Sequence, residues 1–412
     1  MAPGPGGAAP YHRPVPIPGV VHLSPFPTAD STAPRPGVPS ILALLVPALA
    51  EAGVPRQVVV AAREEGPRVQ RLLPTVEVAR AYRSGARFRE VGRLLATAPG
   101  ALVHAQHEVF LYGGLGTAVQ FPLALREARG RGRPVVVTVH GVIDLRAVDR
   151  GFVEANGSRL PPPAVRRVLR RVIGGAARAG DAVIVHDRLF AERLEEQYGI
   201  PAERLRVIPL PVPAPVELDR ERCRAGLGLT VPTALFFGFV TGYKGLPLLL
   251  DGWERYRRAG GAGELLIGGG RHPRLAGEPA YEREYAALQE RAGRIGGVRW
   301  AGYIAEEDVP AHLTAADLLV LPYRDSLAAS GPMSSALAYG LPVIGSEAVR
   351  AILPDEAGVF APNPDAVAAT LRDALEGPLA GRLREASIRA GAEHSLPGVA
   401  ARTVDLYREL AA

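Results

Sequence analysis

The sequence predicts an α/β protein built from two doubly wound domains that face each other across a cleft. Three observations carry that prediction. The chain has 412 residues, more than one hydrophobic core comfortably serves, so two domains of roughly 180–200 residues are the natural division. Short continuous apolar runs alternate with stretches of helical periodicity, the pattern of parallel strands covered on both faces. That rhythm breaks at Leu210-Pro211-Val212-Pro213-Ala214-Pro215, where three prolines can continue neither a helix nor a central strand, and then it restarts.

Residues 1–19 are rich in Pro, Gly and Ala without a continuous apolar stretch, and read as a disordered leader rather than an export signal. The first domain, 20–212, opens with a strand over 20–23 and a helix over 40–52 ended by Gly53. Apolar strands follow over 57–61, 101–104 and 135–139, then a helix over 165–179 and strands over 182–186 and 205–208. In the second domain, 213–390, strands are expected over 233–237, 264–267, 298–300, 318–321 and 342–344, with a helix over 246–258. The remainder, 391–412, has helical spacing in Val399, Val404, Leu406 and Leu410 and is expected to pack on one domain or both, returning to the N-terminal one. In such domains ligands bind beyond the carboxyl ends of the strands, so the polar residues just after each strand are the candidates for function.

Composition narrows the setting. Hydrophobic residues make up 47% and charged residues 22%, the balance of a folded globular protein. A single cysteine, Cys223, excludes an intrachain disulfide and fits a reducing, cytoplasmic compartment. The longest apolar pattern, 41–50, contains Pro47 and is too short to span a membrane. A formal charge of +6 permits an anionic substrate or a peripheral contact with the inner face of a membrane. It does not imply nucleic acid, because the arginines are scattered and no RNP-like strand, zinc finger or helix-turn-helix is present. The densest basic cluster, Arg166, Arg167, Arg170 and Arg171, falls on one helical face and reads as a solvated face, a membrane or acceptor surface, or a partner contact. The Ala, Arg, Gly and Pro bias suggests a GC-rich bacterial genome.

The most informative stretch lies between 318 and 344. An apolar strand runs into a small-residue loop, and a helix opens near Ser330-Gly331 and ends at Gly340. Backbone N–H groups at such a helix mouth have no partner within the helix and can grip an anion; small residues also cap ordinary helices. Two further loops open on the same side. Gly238 to Gly245 is glycine-interrupted and carries Lys244 at a helix entrance, and Gly268-Gly269-Gly270-Arg271 follows the next strand. Glycine permits close backbone approach, and a lysine there supplies charge to a diphosphate, the plainer reading being a turn glycine and a surface lysine. The 264–270 stretch is not a dinucleotide fingerprint, which needs its glycines between the first strand and helix of a domain.

Taken in order, Lys244-Gly245, Gly268–Gly270, Val298-Arg299-Trp300-Ala301-Gly302-Tyr303, Ala316-Asp317-Leu318-Leu319-Val320-Leu321-Pro322 and Ala336-Leu337-Ala338-Tyr339-Gly340-Leu341-Pro342-Val343-Ile344 resemble the family 4 retaining glycosyltransferases. These are GT-B enzymes, two Rossmann-like domains that use nucleotide-sugar donors. The likeness runs on through 353–360. The first domain agrees more loosely, at Ser24-Pro25-Phe26-Pro27, Gly37-Val38, Val139-His140-Gly141 and Tyr198-Gly199-Ile200. The resemblance implies a UDP-, GDP- or dTDP-sugar as substrate, no other cofactor and no metal. It assigns donor contacts to Gly37, Gly238, Lys244, Gly269, Arg271, Tyr303, Ser330, Gly331 and Ser335. In retaining relatives a histidine at the position of His140 lies beside the donor sugar, an orienting role, with Asp144 placed to hold its ring or meet the acceptor.

One departure stands out. Most relatives carry two glutamates eight positions apart, and here those positions hold Leu327 and Ser335. A bacterial subset has Ser-Gly in this loop, and Ser330-Gly331 is similar to it; Asp325 is then the nearest acidic candidate for the sugar hydroxyls. The positive side chain often found after the first glycine of this domain is replaced by Phe239 or Val240, leaving Lys244 or Arg271 to meet the diphosphate.

In the first domain, His104-Ala105-Gln106-His107-Glu108 is expected to follow a strand, as a loop. It reads as an acceptor-side cleft, with Gln106, His107 and Glu108 as acceptor contacts, as ordinary structural polars, or as a metal site lacking a predictable fourth ligand. His186 and His22 follow or end other strands and weigh more toward structure. With no carboxylate nucleophile evident, retention implies same-face attack, the leaving phosphate taking the acceptor's proton. The competing readings are an unusual coupling, such as transfer onto an amine of a natural product, and a degenerate domain that only binds nucleotide sugar. A phosphorylase would need a pyridoxal phosphate lysine segment and an epimerase its carboxylates, and neither is found.

Overall fold

The computed structural model describes residues 17–27, 37–63, 67–83, 88–155, 158–273, 275–327 and 329–412; all but the last three residues of the expected leader lie outside them. Eight strands form the first sheet: β1 (Val20–Leu23), β2 (Gln57–Ala62), β3 (Val69–Leu73), β4 (Val76–Tyr82), β5 (Leu102–His107), β6 (Val135–Val139), β7 (Ala182–Val185) and β8 (Leu205–Val207), in the order β3-β4-β2-β1-β5-β6-β7-β8. The connecting helices are α1 (Val38–Glu51), α2 (Arg89–Thr97), α3 (Leu115–Arg129), α4 (Arg150–Ala155), α5 (Pro162–Ala179) and α6 (Arg188–Tyr198). After α7 (Arg220–Leu227), a six-stranded sheet takes β9 (Thr233–Phe237), β10 (Glu264–Gly268), β11 (Val298–Trp300), β12 (Leu318–Leu321), β13 (Val343–Ser346) and β14 (Val359–Phe360), in the order β11-β10-β9-β12-β13-β14. Its helices are α8 (Leu246–Arg258), α9 (Pro279–Arg294), α10 (Val309–Ala315), α11 (Gly331–Ala338), α12 (Pro364–Leu375) and α13 (Leu379–Glu393), and α14 (Leu396–Ala411) ends the chain. Two doubly wound α/β sheets in separate domains make this a GT-B architecture.

The strands follow from their residues. β1, β2, β5, β6 and β7 are buried along their whole length, as parallel strands covered on both faces require. β3 and β4 form an antiparallel hairpin at the sheet edge. Their alternating pattern turns Gln70, Arg71 and Glu77 outward or to the rim, while Arg80 is buried and donates to Phe26 O and Pro27 O, so neither strand shows a continuous apolar run.

α14 crosses back to the first domain. Val399, Val404 and Tyr407 pack with Leu45, Ala48 and Leu49 of α1 against Leu102, Val136 and Ile184 of the sheet. The outgoing linker runs beside this returning segment, with Val212 N–H donating to His394 O at 2.9 Å. The two chain crossings between the domains are therefore tied to each other. Among the described residues no helix is long and apolar enough to cross a membrane.

Candidate active site

The second domain supplies a cation and a helix mouth. β9 leaves through Gly238, whose φ of +118° suits glycine and whose N–H donates to Gly268 O at 3.0 Å. A Cβ added at Gly238 would lie 2.6 Å from Lys244 Nζ and 3.3 Å from Pro332 Cγ, so the ammonium rests on the glycine backbone beside the first turn of α11. Lys244 is only 8% exposed. The Tyr323 ring lies 5.3 Å from Nζ to the centroid, and among the described residues no carboxylate pairs with it. Burial pushes its pKa down, as it does for any cation taken from water without a counter-ion.

Ser330 caps α11, its Oγ accepting from Met333 N–H at 3.3 Å and lying 3.4 Å from the Tyr323 hydroxyl. Ser334 N–H returns to Ser330 O and Pro332 has no N–H. Gly331 is then the first-turn position whose N–H these bonds do not use. Ser335 is half-buried on the same short helix. Lys244 and the α11 mouth thus come together on either side of Gly238.

Other expected donor contacts are engaged in different ways. Arg271 pairs with Glu282 at 2.8 Å and lies 4.4 Å over the Tyr285 ring, so its charge is already matched. Gly269 is a packing position: a Cβ there would meet Val240 Cγ2 at 2.7 Å. Tyr303, half-exposed, stacks with Phe239 at 6.3 Å with 13° between the rings, and His272 meets Phe239 edge-on. An aromatic surface therefore stands where the resemblance expects a positive side chain. Gly37 begins α1 with φ +104° and open space around its Cβ direction.

On the first domain the structure corrects the expected loop after β5. The strand runs on through His107, and strand alternation sends consecutive side chains to opposite faces. His104 and Gln106 therefore point beneath α1 and α14, whereas His107 packs against Phe121 with ring centroids 5.3 Å apart. All three are buried. Of the expected acceptor contacts only Glu108 leaves the strand half-buried; burial is the main cause that raises the pKa of Tyr243 across the cleft, and the charge of Glu108 adds a little to it.

His140 is buried as well. Its Nε2 lies 2.8 Å from Gln106 and its Nδ1 3.0 Å from His186 Nε2, so both ring nitrogens are engaged within the protein. Its main chain faces the other domain: His140 O accepts from Ala329 N–H at 2.9 Å, one residue before the α11 cap. Asp144 Oδ1 accepts from Arg146 N–H at 2.8 Å, and its charge adds to the rise in the pKa of Asp325, for which burial is the main cause.

Arg193 joins these two loops, and sequence reasoning missed it. It is buried on α6 and donates to Val142 O at 2.9 Å and to Ser326 O at 2.6 Å, with Asp325 at 3.5 Å. No sequence signal marks it, because a long arginine reaches partners more than a hundred positions away. Arg193→Leu leaves two carbonyls and a half-buried carboxylate without their cation. We expect a loss of about 2 kcal/mol or more in denaturant unfolding, with Asp325 titrating higher still.

Comparison with known proteins agrees with this architecture. Residues 37–214 match the family described as Glycosyltransferase Family 4, and residues 231–377 match Glycosyl transferases group 1. No curated protein matches the chain by sequence. Among solved structures, sucrose-phosphate synthase from Thermosynechococcus elongatus superimposes with a TM-score of 0.68 at 19% identity, over 95% of this chain and 99% of that one. Anabaena HepE in complex with UDP and glucose gives 0.65 at 18%, over 94% and 98%. The α,α-trehalose-phosphate synthase of Burkholderia vietnamiensis gives 0.67 at 16%, over 97% and 99%. At these identities the likeness to solved structures is one of fold; the two family matches carry the class. The protein is a glycosyltransferase of the GT-B fold. Both models describe glycosyltransferases, one over each domain, the family 4 model on the first. Among the described residues no group of three or more His, Cys, Asp or Glu side chains is placed to hold a metal ion.

Proposed function

We propose that this enzyme transfers a sugar, with retention and without a metal ion, from a nucleotide-sugar donor to a hydroxyl acceptor on a glycan, glycolipid or natural product. The observation that carries the reading is Lys244: a buried cation with no carboxylate partner among the described residues, pressed onto Gly238 beside the mouth of α11. A site built this way is short of an anion, and a departing nucleoside diphosphate supplies one. The solved Anabaena relative, described as a complex with UDP and glucose, is consistent with it.

In this reading Lys244, the Gly331 N–H and the Ser330 cap receive the diphosphate, the Ser-Gly variant of the family's paired glutamates. The donor's C1–O bond to phosphate breaks while the acceptor oxygen bonds C1 on the same face. The acceptor's proton passes to the leaving phosphate oxygen, so no protein nucleophile is required. Charge building on that phosphate is met by groups already in place. Tyr303 and Phe239 offer a flat surface at the rim for the nucleoside, and Asp325, Asp144 and Glu108 line the junction where sugar and acceptor hydroxyls meet. Gly37, with open space beside it, lets the donor approach the start of α1. The test is release of nucleoside diphosphate from UDP-, GDP- and dTDP-sugars with and without EDTA, with product anomers read by NMR. One donor is expected to turn over, EDTA-insensitive and with retained configuration. Inversion, or turnover abolished by EDTA, contradicts the reading. An amine acceptor would use the same donor site and would appear as a nitrogen-linked product.

A specific surface favours a membrane-borne acceptor. Leu115, Val119 and Leu123, at helical spacing on α3, are 43%, 39% and 44% exposed, and Phe110 just before them is 47% exposed. Arg167 and Arg171 are exposed on α5, which packs beside α3. An apolar ridge with flanking cations suits an anionic lipid surface. Co-sedimentation with vesicles of anionic phospholipid is expected to weaken about tenfold in Leu115→Asp/Leu123→Asp, and neutral vesicles to bind poorly.

A further inference from the structure

The face of the first sheet that lies under α1 and α14 carries polar side chains in an otherwise apolar layer. Tyr407 OH lies 2.6 Å from His104 Nδ1, and His104 Nε2 lies 2.7 Å from Thr138 Oγ1 and 3.3 Å from the Gln106 carboxamide. The other end of that carboxamide is 2.8 Å from His140 Nε2. His140 Nδ1 is 3.0 Å from His186 Nε2, and His186 Nδ1 is 3.1 Å from Ile208 O, at the start of the interdomain linker. One run of contacts thus connects the C-terminal helix to the linker, with His140 in the middle.

The run has a direction. Ile208 O can only accept, so His186 carries its proton on Nδ1. Burial lowers the pKa of His186 to about 4 and holds those of His104 and His140 well below the usual value, so each ring is neutral, with one N–H and one lone pair. His186 Nε2 then accepts from His140 Nδ1–H, and His140 Nε2 accepts from the Gln106 amide nitrogen. The carboxamide oxygen faces His104 Nε2–H, which is shared with Thr138, and His104 Nδ1 accepts from the Tyr407 hydroxyl. The two ends of a carboxamide are distinguished only by their partners. The opposite setting, with the Gln106 oxygen toward His140 Nε2 and the amide nitrogen toward His104 as the structure draws them, turns every bond around and leaves the lone pair of a neutral His186 against Ile208 O. The carboxamide is therefore assigned here with its two ends exchanged.

We propose that Tyr407, His104, Gln106 and His186 are positioning residues for glycosyl transfer, forming one directed hydrogen-bond chain that holds His140 and, through its carbonyl, the residue leading into the α11 mouth. The proposal rests on the functional reading above, since it assigns the chain's effect to the transfer step. It differs from a packing role because the tautomers matter. Lys244 and α11 both belong to the second domain, so nucleotide binding does not need the chain. Bringing the acceptor side of the first domain against the helix mouth does, through His140 O and Ala329 N–H.

The test has two arms. Nitrogen-15 NMR of the histidine rings in the full-length protein at neutral pH is expected to show His140 and His186 as Nδ1–H tautomers and His104 as the Nε2–H tautomer. Tyr407→Phe and, at the other end, His186→Gln are expected to lower kcat about tenfold with nucleoside diphosphate affinity changed less than about twofold. Thr403→Val is the control: it lies on the same buried face of α14, and its hydroxyl bonds only within its own helix, to Val399 O. It is expected to leave kcat unchanged. His140 found cationic or as the Nε2–H tautomer overturns the proposal, as does equal kcat in all three variants. Should the wild type transfer nothing from any donor, the functional reading fails, and the tautomer arm still judges the chain.

Discussion

Lys244→Ala is expected to lower donor turnover roughly 10²–10³-fold while leaving the fold at least as stable as the wild type. These two effects belong together. The lysine is buried and its pKa is depressed by desolvation, so in the free protein its charge is a cost that alanine removes. Only when a diphosphate sits on Gly238 and the α11 mouth does that charge find a partner. The sign with pH follows. Donor affinity is full below the free protein's lowered lysine pKa and falls as pH rises past it, because binding must then take up a proton. The stability of the unliganded protein moves the other way, rising with pH between the folded and unfolded lysine values, where the unfolded chain holds more protons. Lys244→Ala loses both dependences. Calorimetric binding and denaturant melts over a pH series read them separately.

Gly245→Ala is expected to be the most damaging small substitution in the second domain. Gly245 has φ +68° and caps the turn between Lys244 and α8, a conformation costing an alanine about 1 kcal/mol or more. A Cβ there would come 1.8 Å from Pro322 O and 2.9 Å from Pro322 C. That obstacle is main chain of the loop leaving β12, which also pairs with the Lys244 turn through Arg324 N–H and Tyr243 O at 2.6 Å. Neither segment yields without moving the other. We expect a loss of about 3 kcal/mol or more, a melting point lower by roughly 6–12 °C, and weakened donor binding because Lys244 shifts with its turn. Gly302→Ala separates the causes: its φ is +76° but no atom lies within 4 Å of the added Cβ. Backbone strain alone should cost about 1 kcal/mol there.

The contrast between those two glycines shows what a sequence displays. Glycines at Gly238, Gly245 and Gly302 are visible as candidates for tight turns, but which one a neighbouring carbonyl crowds depends on two loops crossing. The parallel strands were legible because complete burial demands unbroken Val, Leu and Ile, and the cap at Ser330 because a small polar residue before a helix has few other uses. The β3–β4 hairpin was not, since an edge strand mixes charged and apolar residues. The placement of Gln106 and His107 failed for a similar reason. Extending β5 by a few residues turns a loop reading into a strand reading and assigns neighbouring side chains to opposite faces. Arg193 and Tyr407 were invisible: one looks like any helix arginine, the other like core spacing, and both act on residues distant in the chain. Arg271 shows the reverse case, a cation at the expected place that is paired with Glu282, which no sequence pattern displays.

In the proposed mechanism everything turns on Lys244 and the α11 mouth forming a metal-free seat for a nucleoside diphosphate. Isothermal titration of the full-length protein with UDP, GDP and dTDP in the presence of EDTA, repeated with Lys244→Ala, tests it most directly. One-to-one binding of at least one of them is expected, undiminished by EDTA and lost in the variant. Binding that survives Lys244→Ala, or that appears only when a divalent ion is added, would contradict it.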